Sequence, residues 1–252
     1  MMRWILLASL ALSTNAFAGL RFEVRYPAGL RAEPLDGRLL VMLSKEEGEE
    51  PRFQIDTSLA TQQIFGVDVN GLEAGRPAVL DASAIGYPVE RLQDVPRGDY
   101  FVQALVNVYE TFHRADGHVV KLPMDDGEGQ QWERSPGNLY SAPQRVRIDP
   151  AADVTIPLEL DRVVPPIDPP RDSQYVKYVR IQSEKLTRFW GRPMHLGAIV
   201  LLPEGFDEHP EARYPVLYVQ GHFTSRFRGF RETPPEPGLS GEARTEAEYG
   251  YR

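Results

Sequence analysis

Short runs of alternating apolar and polar residues, separated by turn-forming residues, constrain the fold of this chain more than any other feature. Alternation with a period of two places apolar side chains on one face of a strand and polar side chains on the other. The predicted strands cover residues 20–26, 38–43, 62–69, 100–109, 144–148 and 154–160. Many short strands with turn signals between them are typical of a β-sandwich. We therefore predict a mainly β fold, with an immunoglobulin-like β-sandwich over residues 19–162.

The first 18 residues have the pattern of a secretory signal peptide. Arg3 supplies a basic start, residues 4–12 are apolar, and Ala16 and Ala18 form the A-x-A sequence at which such peptides are cleaved. The apolar run is shorter than the roughly 20 residues that a membrane-spanning helix needs. We therefore expect cleavage after Ala18 and a periplasmic or secreted protein that is not held in the membrane.

The composition excludes several classes of function. The chain contains no cysteine, which rules out disulfides, cysteine-based zinc sites, a thiol nucleophile and a lipidated-cysteine anchor. Its formal net charge is −8, and no basic stripe runs along the sequence. Nucleic acids and anionic membranes are therefore not expected as partners. The sequence predicts no cofactor and no metal.

Residues 163–173 predict a stiff, extended linker, because they include four prolines. The alternative is an irregular edge of one larger domain. Beyond this stretch, residues 175–182 and 195–202 are predicted to be strands, and the apolar run 214–223 is predicted to be a buried strand. A helix is expected to begin near Glu242, with Ser240 as its N-cap.

The sequence after the linker resembles a known family of enzymes. The resemblance rests on RIQSE at 180–184, GRP at 191–193, LGAIVLLPEGF at 196–206 and YPVLYVQGH at 214–222. This order resembles the entry into the catalytic domain of secreted esterases related to esterase D and enterochelin esterase. That family implies a β-sandwich followed by an α/β-hydrolase domain that cleaves esters with a Ser-Asp-His triad. Residues 174–252 would then be the first, incomplete part of that domain.

The resemblance also implies a position for an oxyanion hole. In α/β-hydrolases, backbone N–H groups after an early strand help to bind the oxyanion. Gly221, His222 and Phe223 are the residues that match this position, although the family usually has histidine before glycine. A G-x-S-x-G nucleophile motif is not found; the nearest match, around Ser240, lacks the second glycine and a preceding strand. No catalytic residue is therefore assigned.

Three other motifs have a functional and a structural interpretation. His113, Asp116 and His118 could bind a metal, but Asp116-Gly117 is also a strong hairpin turn, which we favour. Residues 125–129 are acidic but lack the alternating oxygens of an EF-hand, which favours a surface loop. The aromatic residues that could line a sugar-binding face, or else pack in the core, are Tyr109, Phe112, Trp132 and Tyr140.

Two functions follow from the sequence. The first is the N-terminal part of an exported esterase-like serine hydrolase, inactive as these 252 residues because the triad is absent, whose complete form would act on an ester substrate. The second is a periplasmic β-sandwich module that binds a glycan, a peptide or a protein partner without catalysis.

Overall fold

The structure is a computed structural model that describes residues 19–220 and 236–249. It is mainly β, with 38% strand and 10% helix. The strands are β1 (Leu20–Arg25), β2 (Leu35–Ser44), β3 (Gln63–Leu72), β4 (Ala78–Leu80), β5 (Ile85–Tyr87), β6 (Gly98–His113), β7 (Val119–Leu122), β8 (Leu139–Tyr140), β9 (Gln144–Ile148), β10 (Val154–Glu159), β11 (Arg162–Val163), β12 (Val176–Gln182) and β13 (His195–Leu201). The two α-helices are α1 (Glu184–Trp190) and α2 (Gly241–Tyr249).

Eight of the nine predicted strands are present, which confirms the mainly β fold. β6 is the longest, with 16 residues, and β2, β7, β8 and β9 all pair with it in antiparallel directions. β3 pairs with β2, and β5 continues the sheet beyond β3. A second sheet has the order β10–β1–β4, in which β1 and β10 are parallel. β6 is therefore the strand around which the larger sheet is built.

The two sheets enclose one apolar core. Phe22 and Val24 of β1, Leu39 and Val41 of β2, and Val102 of β6 belong to the same buried cluster and are fully inaccessible. In each of these strands the core residues are two positions apart, as the pleat of a strand requires. Burial of this apolar surface is the main stabilising contribution to the fold.

The stretch predicted to be a linker does not begin where the sequence suggested. Arg162 and Val163 form β11 and pair with β8, and the N–H of Val164 donates to the Asn138 carbonyl at 2.9 Å. Val164 is buried and Val163 is exposed, so strand pairing holds the first residue of the stretch to the sheet and burial holds the second. Residues 165–175 have no regular secondary structure.

The third predicted strand after the linker is wrong over the part that the structure describes. Residues 214–220 have no regular secondary structure, and the exposed fractions of Val216, Leu217, Tyr218 and Val219 are 69%, 88%, 89% and 86%. An apolar run becomes a buried strand only when neighbouring strands supply hydrogen bonds and a packing surface. Residues 221–223, like the predicted signal peptide 1–18, lie outside the described residues.

None of the helices in the described part of the chain has the length and apolar character needed to cross a membrane.

Candidate functional site

The predicted oxyanion-hole residues cannot be placed. Gly221, His222 and Phe223 lie outside the described residues. Ser240 is exposed and directly precedes α2, and residues 236–240 contain turn rather than strand. The described residues around Ser240 therefore do not provide the strand that leads into a nucleophile elbow.

The motif around His113 forms a hairpin turn between β6 and β7. The Arg114 N–H donates to the His118 carbonyl at 2.9 Å, and the Gly117 N–H donates to the Arg114 carbonyl at 3.0 Å. Oδ1 of Asp116 accepts the His118 N–H and lies 3.2 Å from Nδ1 of the same histidine. No group of three residues that could ligate a metal occurs within residues 19–220 and 236–249.

The Asp116 carboxylate makes its contacts within this turn. Burial acts to raise its pKa, but hydrogen bonds from His118 and the positive charge of Arg114 outweigh that effect, so the pKa lies below its usual range. Arg114 also forms an ion pair with Asp116. These contacts stabilise the charged form of the carboxylate and explain the motif as a structural turn.

The tip of the β6–β7 hairpin packs against α1. The rings of Phe112 and Trp190 contact edge to face, and the Ala115 N–H donates to the Phe189 carbonyl at 2.7 Å. Arg192 forms an ion pair with Glu110. The segment after the proline-rich stretch is therefore held against the β6–β7 hairpin by apolar, hydrogen-bonded and charged contacts together.

Arg114 is part of the same junction. Its guanidinium lies 5.1 Å from the Phe189 ring centroid and 5.8 Å from that of Trp190. Its Nε is buried and has no hydrogen-bond partner within the described ranges. Stacking of a guanidinium on aromatic rings is a favourable interaction that partly offsets the free-energy cost of the missing hydrogen bond.

A polar network lies on the face of β6 opposite to the core. Gln103 is fully buried; its Oε1 accepts the Arg52 N–H at 3.0 Å, and its Nε2 donates to Glu50 Oε2 at 2.7 Å and to the Ser141 carbonyl at 2.9 Å. Arg52 Nε is 2.8 Å from the same Glu50 oxygen, and its guanidinium stacks 4.0 Å from the Tyr140 ring centroid. Both polar groups of the Gln103 side chain are paired. The network therefore holds the loop that contains Glu50 and Arg52 against β6, and it leaves no polar group of Gln103 for a ligand.

The acidic segment 125–129 forms its own turn. Oδ1 of Asp125 accepts the N–H groups of Gly127 and Gly129 at 2.9 and 3.2 Å, and Glu128 accepts the Asp126 N–H at 2.8 Å. One carboxylate oxygen of Asp125 and one of Glu128 thus bind backbone N–H groups, as is typical of a local turn.

The four aromatic residues weighed as a sugar-binding face have different roles. Phe112 is buried against Trp190, and Tyr140 stacks on Arg52. The carbonyl of Trp132 accepts from Asn138 Nδ2 at 2.8 Å, which fixes the 3-10 turn that contains it. Burial raises the pKa of Tyr109, which lies half-buried on β6. These contacts favour packing over a common binding face.

An open groove is lined by residues of β3, β4 and the loop between them. It has a volume of about 590 Å³ and is lined in part by Asp68, Asn70, Glu73 and Arg76. Asp68 is ion-paired with Arg38, and Glu73 with Arg76. The charged groups of the groove are thus already neutralised by neighbours.

The β12–β13 hairpin is the most unusual surface of the described chain. Residues directly opposite each other share a face of the sheet, and the pairs are Lys177 with Val200, Val179 with Ala198, and Ile181 with Leu196. Ile181 and Leu196 are 56% and 49% exposed. On the other face, Tyr178 and Leu201 are also exposed. A two-stranded sheet with apolar side chains exposed on both faces lacks the packing layers that stabilise such a sheet.

Helix α1, which connects β12 and β13, was not predicted. Its signals were present in the sequence: Ser183 caps the helix by accepting the Leu186 N–H at 3.3 Å, and Gly191 ends it with φ of 68°. A serine followed by a short polar-apolar run and a glycine is a recognisable helix pattern. With seven residues the helix is too short for its periodicity to be obvious.

Comparisons of the chain with models of known families, with curated proteins and with solved structures find no match.

Proposed function

We propose that residues 174–252 are the entry into an esterase-like α/β-hydrolase domain, preceded by an immunoglobulin-like β-sandwich in an exported protein. Ester hydrolysis belongs to a longer form of the protein that carries the nucleophile and its triad partners. The observation that carries the proposal is the exposure of apolar side chains on both faces of the β12–β13 hairpin.

β13 has the composition of a strand that is covered on both faces. β13 contains no Asp, Glu, Lys or Arg, and its residues from Leu196 to Leu201 are all apolar or glycine. Strands of this kind are typical of α/β folds, in which helices pack on both faces of the sheet. The run 214–220 is also uncharged and mostly apolar, which supports the same interpretation.

An active-site label tests this proposal. A fluorophosphonate probe and a fluorogenic ester are applied to the 252-residue chain and to the chain extended by the codons that follow Arg252. We expect labelling and turnover only in the extended protein. A stop codon immediately after Arg252, an extended protein without a labelled serine, or turnover by the 252-residue chain that Ser240→Ala abolishes would each contradict the proposal.

A binding module is the second candidate, because the sandwich has a core of its own. Its buried cluster draws on both sheets and ends at Leu160, before the proline-rich stretch. The module would bind a glycan, a peptide or a protein partner. A glycan array, a peptide array and a protein pull-down with the complete chain test this function, and binding in none of the three would contradict it.

A further inference from the structure

The free edge of β13 is the surface with the clearest capacity for a partner. Among residues 19–220 and 236–249, β12 is the only strand that pairs with β13. Within the described residues, one side of β13 therefore presents backbone N–H and C=O groups without a strand partner. Natural proteins protect such edges with charges, prolines or bulges, because an unprotected edge pairs with another strand.

β13 has none of these protections. Its seven residues, His195–Leu201, include no Asp, Glu, Lys, Arg or proline, and its pairing with β12 is regular over its full length. The edge of β12 differs, because it carries Lys177 and Arg180. Two copies paired through β12 would bring four cations together, whereas pairing through β13 brings together no formal charge.

We propose that two copies of this chain associate through antiparallel pairing of β13 with β13 of the second copy. A two-fold axis at Ala198 places this residue opposite its equivalent and places Leu196 opposite Val200 of the other copy. The result is a four-stranded sheet with the order β12–β13–β13–β12. Because opposite residues share a face, Leu196, Ala198 and Val200 of both copies form one continuous apolar surface.

This inference concerns the 252-residue chain and does not depend on the proposed esterase function. Closed pairing about a two-fold axis uses each β13 edge once, so it predicts a dimer and no larger assembly. Its test uses no ester substrate, and the two proposals therefore succeed or fail separately.

Sedimentation-equilibrium ultracentrifugation of the chain and two variants tests the pairing. Ala198→Lys puts two ammonium groups opposite each other at the axis, so we expect the dimer dissociation constant to rise by at least about tenfold. Val179→Lys is the matched control, because it adds the same charge to the same face on the outer strand, away from the axis. We expect this variant to remain a dimer. Circular dichroism of both variants checks that the β content is unchanged.

Three results would overturn the proposal. A wild-type chain that is monomeric at concentrations of about 100 µM excludes an association in the usual range for specific dimers. An open series of larger assemblies excludes closed two-fold pairing. An unchanged dimer dissociation constant in Ala198→Lys, or loss of the dimer in Val179→Lys, shows that the β13 edges do not pair.

Discussion

Phe112 and Trp190 contact edge to face, with ring centroids 5.5 Å apart and planes inclined by 72°. Phe112 belongs to β6, the central strand of the larger sheet, and Trp190 is the last residue of α1. The contact joins the larger sheet to the segment beyond the proline-rich stretch. The sheet and this segment are therefore connected by side-chain contacts as well as by the stretch that contains the four prolines.

Replacement of Trp190 by alanine is expected to weaken this junction. An edge-to-face aromatic pair contributes about 0.5–1.5 kcal/mol beyond the burial of its area. Trp190→Ala should therefore increase amide hydrogen exchange in α1 and β7 while leaving exchange in β2 and the core of β6 unchanged. Trp190→Phe, which keeps an aromatic ring, is the control and should retain most of the protection. Equal exchange in wild type and Trp190→Ala would show that the ring contact does not hold the junction.

Gln103 is expected to be important for stability although it lies outside the apolar core. Gln103→Leu leaves the Arg52 N–H, the Ser141 carbonyl and part of the Glu50 carboxylate without their partner. An unsatisfied buried polar group costs about 1–3 kcal/mol. We expect a decrease of that size in the free energy of unfolding, measured with urea.

Gln144→Leu is the matched control for Gln103→Leu. Gln144 is exposed on β9 and donates one hydrogen bond, to the Pro157 carbonyl at 3.2 Å. Exposed substitutions usually change stability by less than about 0.5 kcal/mol. If the two variants have equal stability, the buried network contributes no more than a surface contact.

The positions of the strands could be predicted from the sequence, but the burial of each strand face could not. Alternation located β1 and β10, since each has one face in the core and one in contact with solvent. β6 is different, because Gln103 and Leu105 on its outer face are as buried as Val102 and Ala104 on its inner face. The sequence of β6 alone cannot predict this burial, because the loop that covers the outer face contains Glu50 and Arg52, which are distant in the sequence.

The same limitation explains the incorrect strand at 214–220. Its apolar composition correctly indicates a segment that is stable when buried, but burial depends on partners elsewhere in the chain. The predicted oxyanion-hole residues Gly221, His222 and Phe223 follow this segment and lie outside the described residues. The local turn at Asp116-Gly117, in contrast, depends only on adjacent residues and is present as predicted.

The Asp36–Lys121 ion pair is expected to make a pH-dependent contribution to stability. The hydrogen bond from Lys121 Nζ, 2.8 Å from Asp36 Oδ2, and the Gly71 N–H lower the pKa of Asp36. A carboxyl group whose folded pKa is lowered stabilises the protein above its unfolded pKa, and this contribution is lost as the pH falls through the folded pKa. The pair is partly exposed, so its contribution is at most about 1 kcal/mol.

Urea unfolding of wild type and Asp36→Asn at two pH values measures this contribution. We expect the Asp36→Asn variant to be less stable than wild type at neutral pH and equally stable well below the pKa of an ordinary aspartate. Asp56→Asn is a control, because hydrogen bonds from Ser58 lower the pKa of Asp56 without a cation. Added salt should reduce the effect of Asp36→Asn and leave that of Asp56→Asn nearly unchanged. A stability difference at position 36 that does not vary with pH would contradict the ion-pair explanation.

Gly191 is expected to tolerate no side chain, because two separate constraints meet there. Its φ of 68° ends α1 in the left-handed region, where a residue with a Cβ is disfavoured by about 1–2 kcal/mol. A Cβ at this position would also lie 2.6 Å from the His113 carbonyl oxygen, which is closer than real Cβ contacts allow. Gly191→Ala should therefore both strain the backbone and push α1 away from the β6–β7 hairpin.

Gly137→Ala separates these two effects. Gly137 has φ of 83°, and a Cβ there would meet nothing within 4 Å, so only the backbone penalty applies. In thermal unfolding, we expect Gly191→Ala to be the less stable variant by at least about 1 kcal/mol, since overpacking costs typically 1–3 kcal/mol. Hydrogen exchange in α1 should rise in Gly191→Ala and remain at the wild-type level in Gly137→Ala. Equal losses of stability in the two variants, with α1 still protected, would mean that His113 moves to accept the methyl group and that the close approach of helix and hairpin is not required.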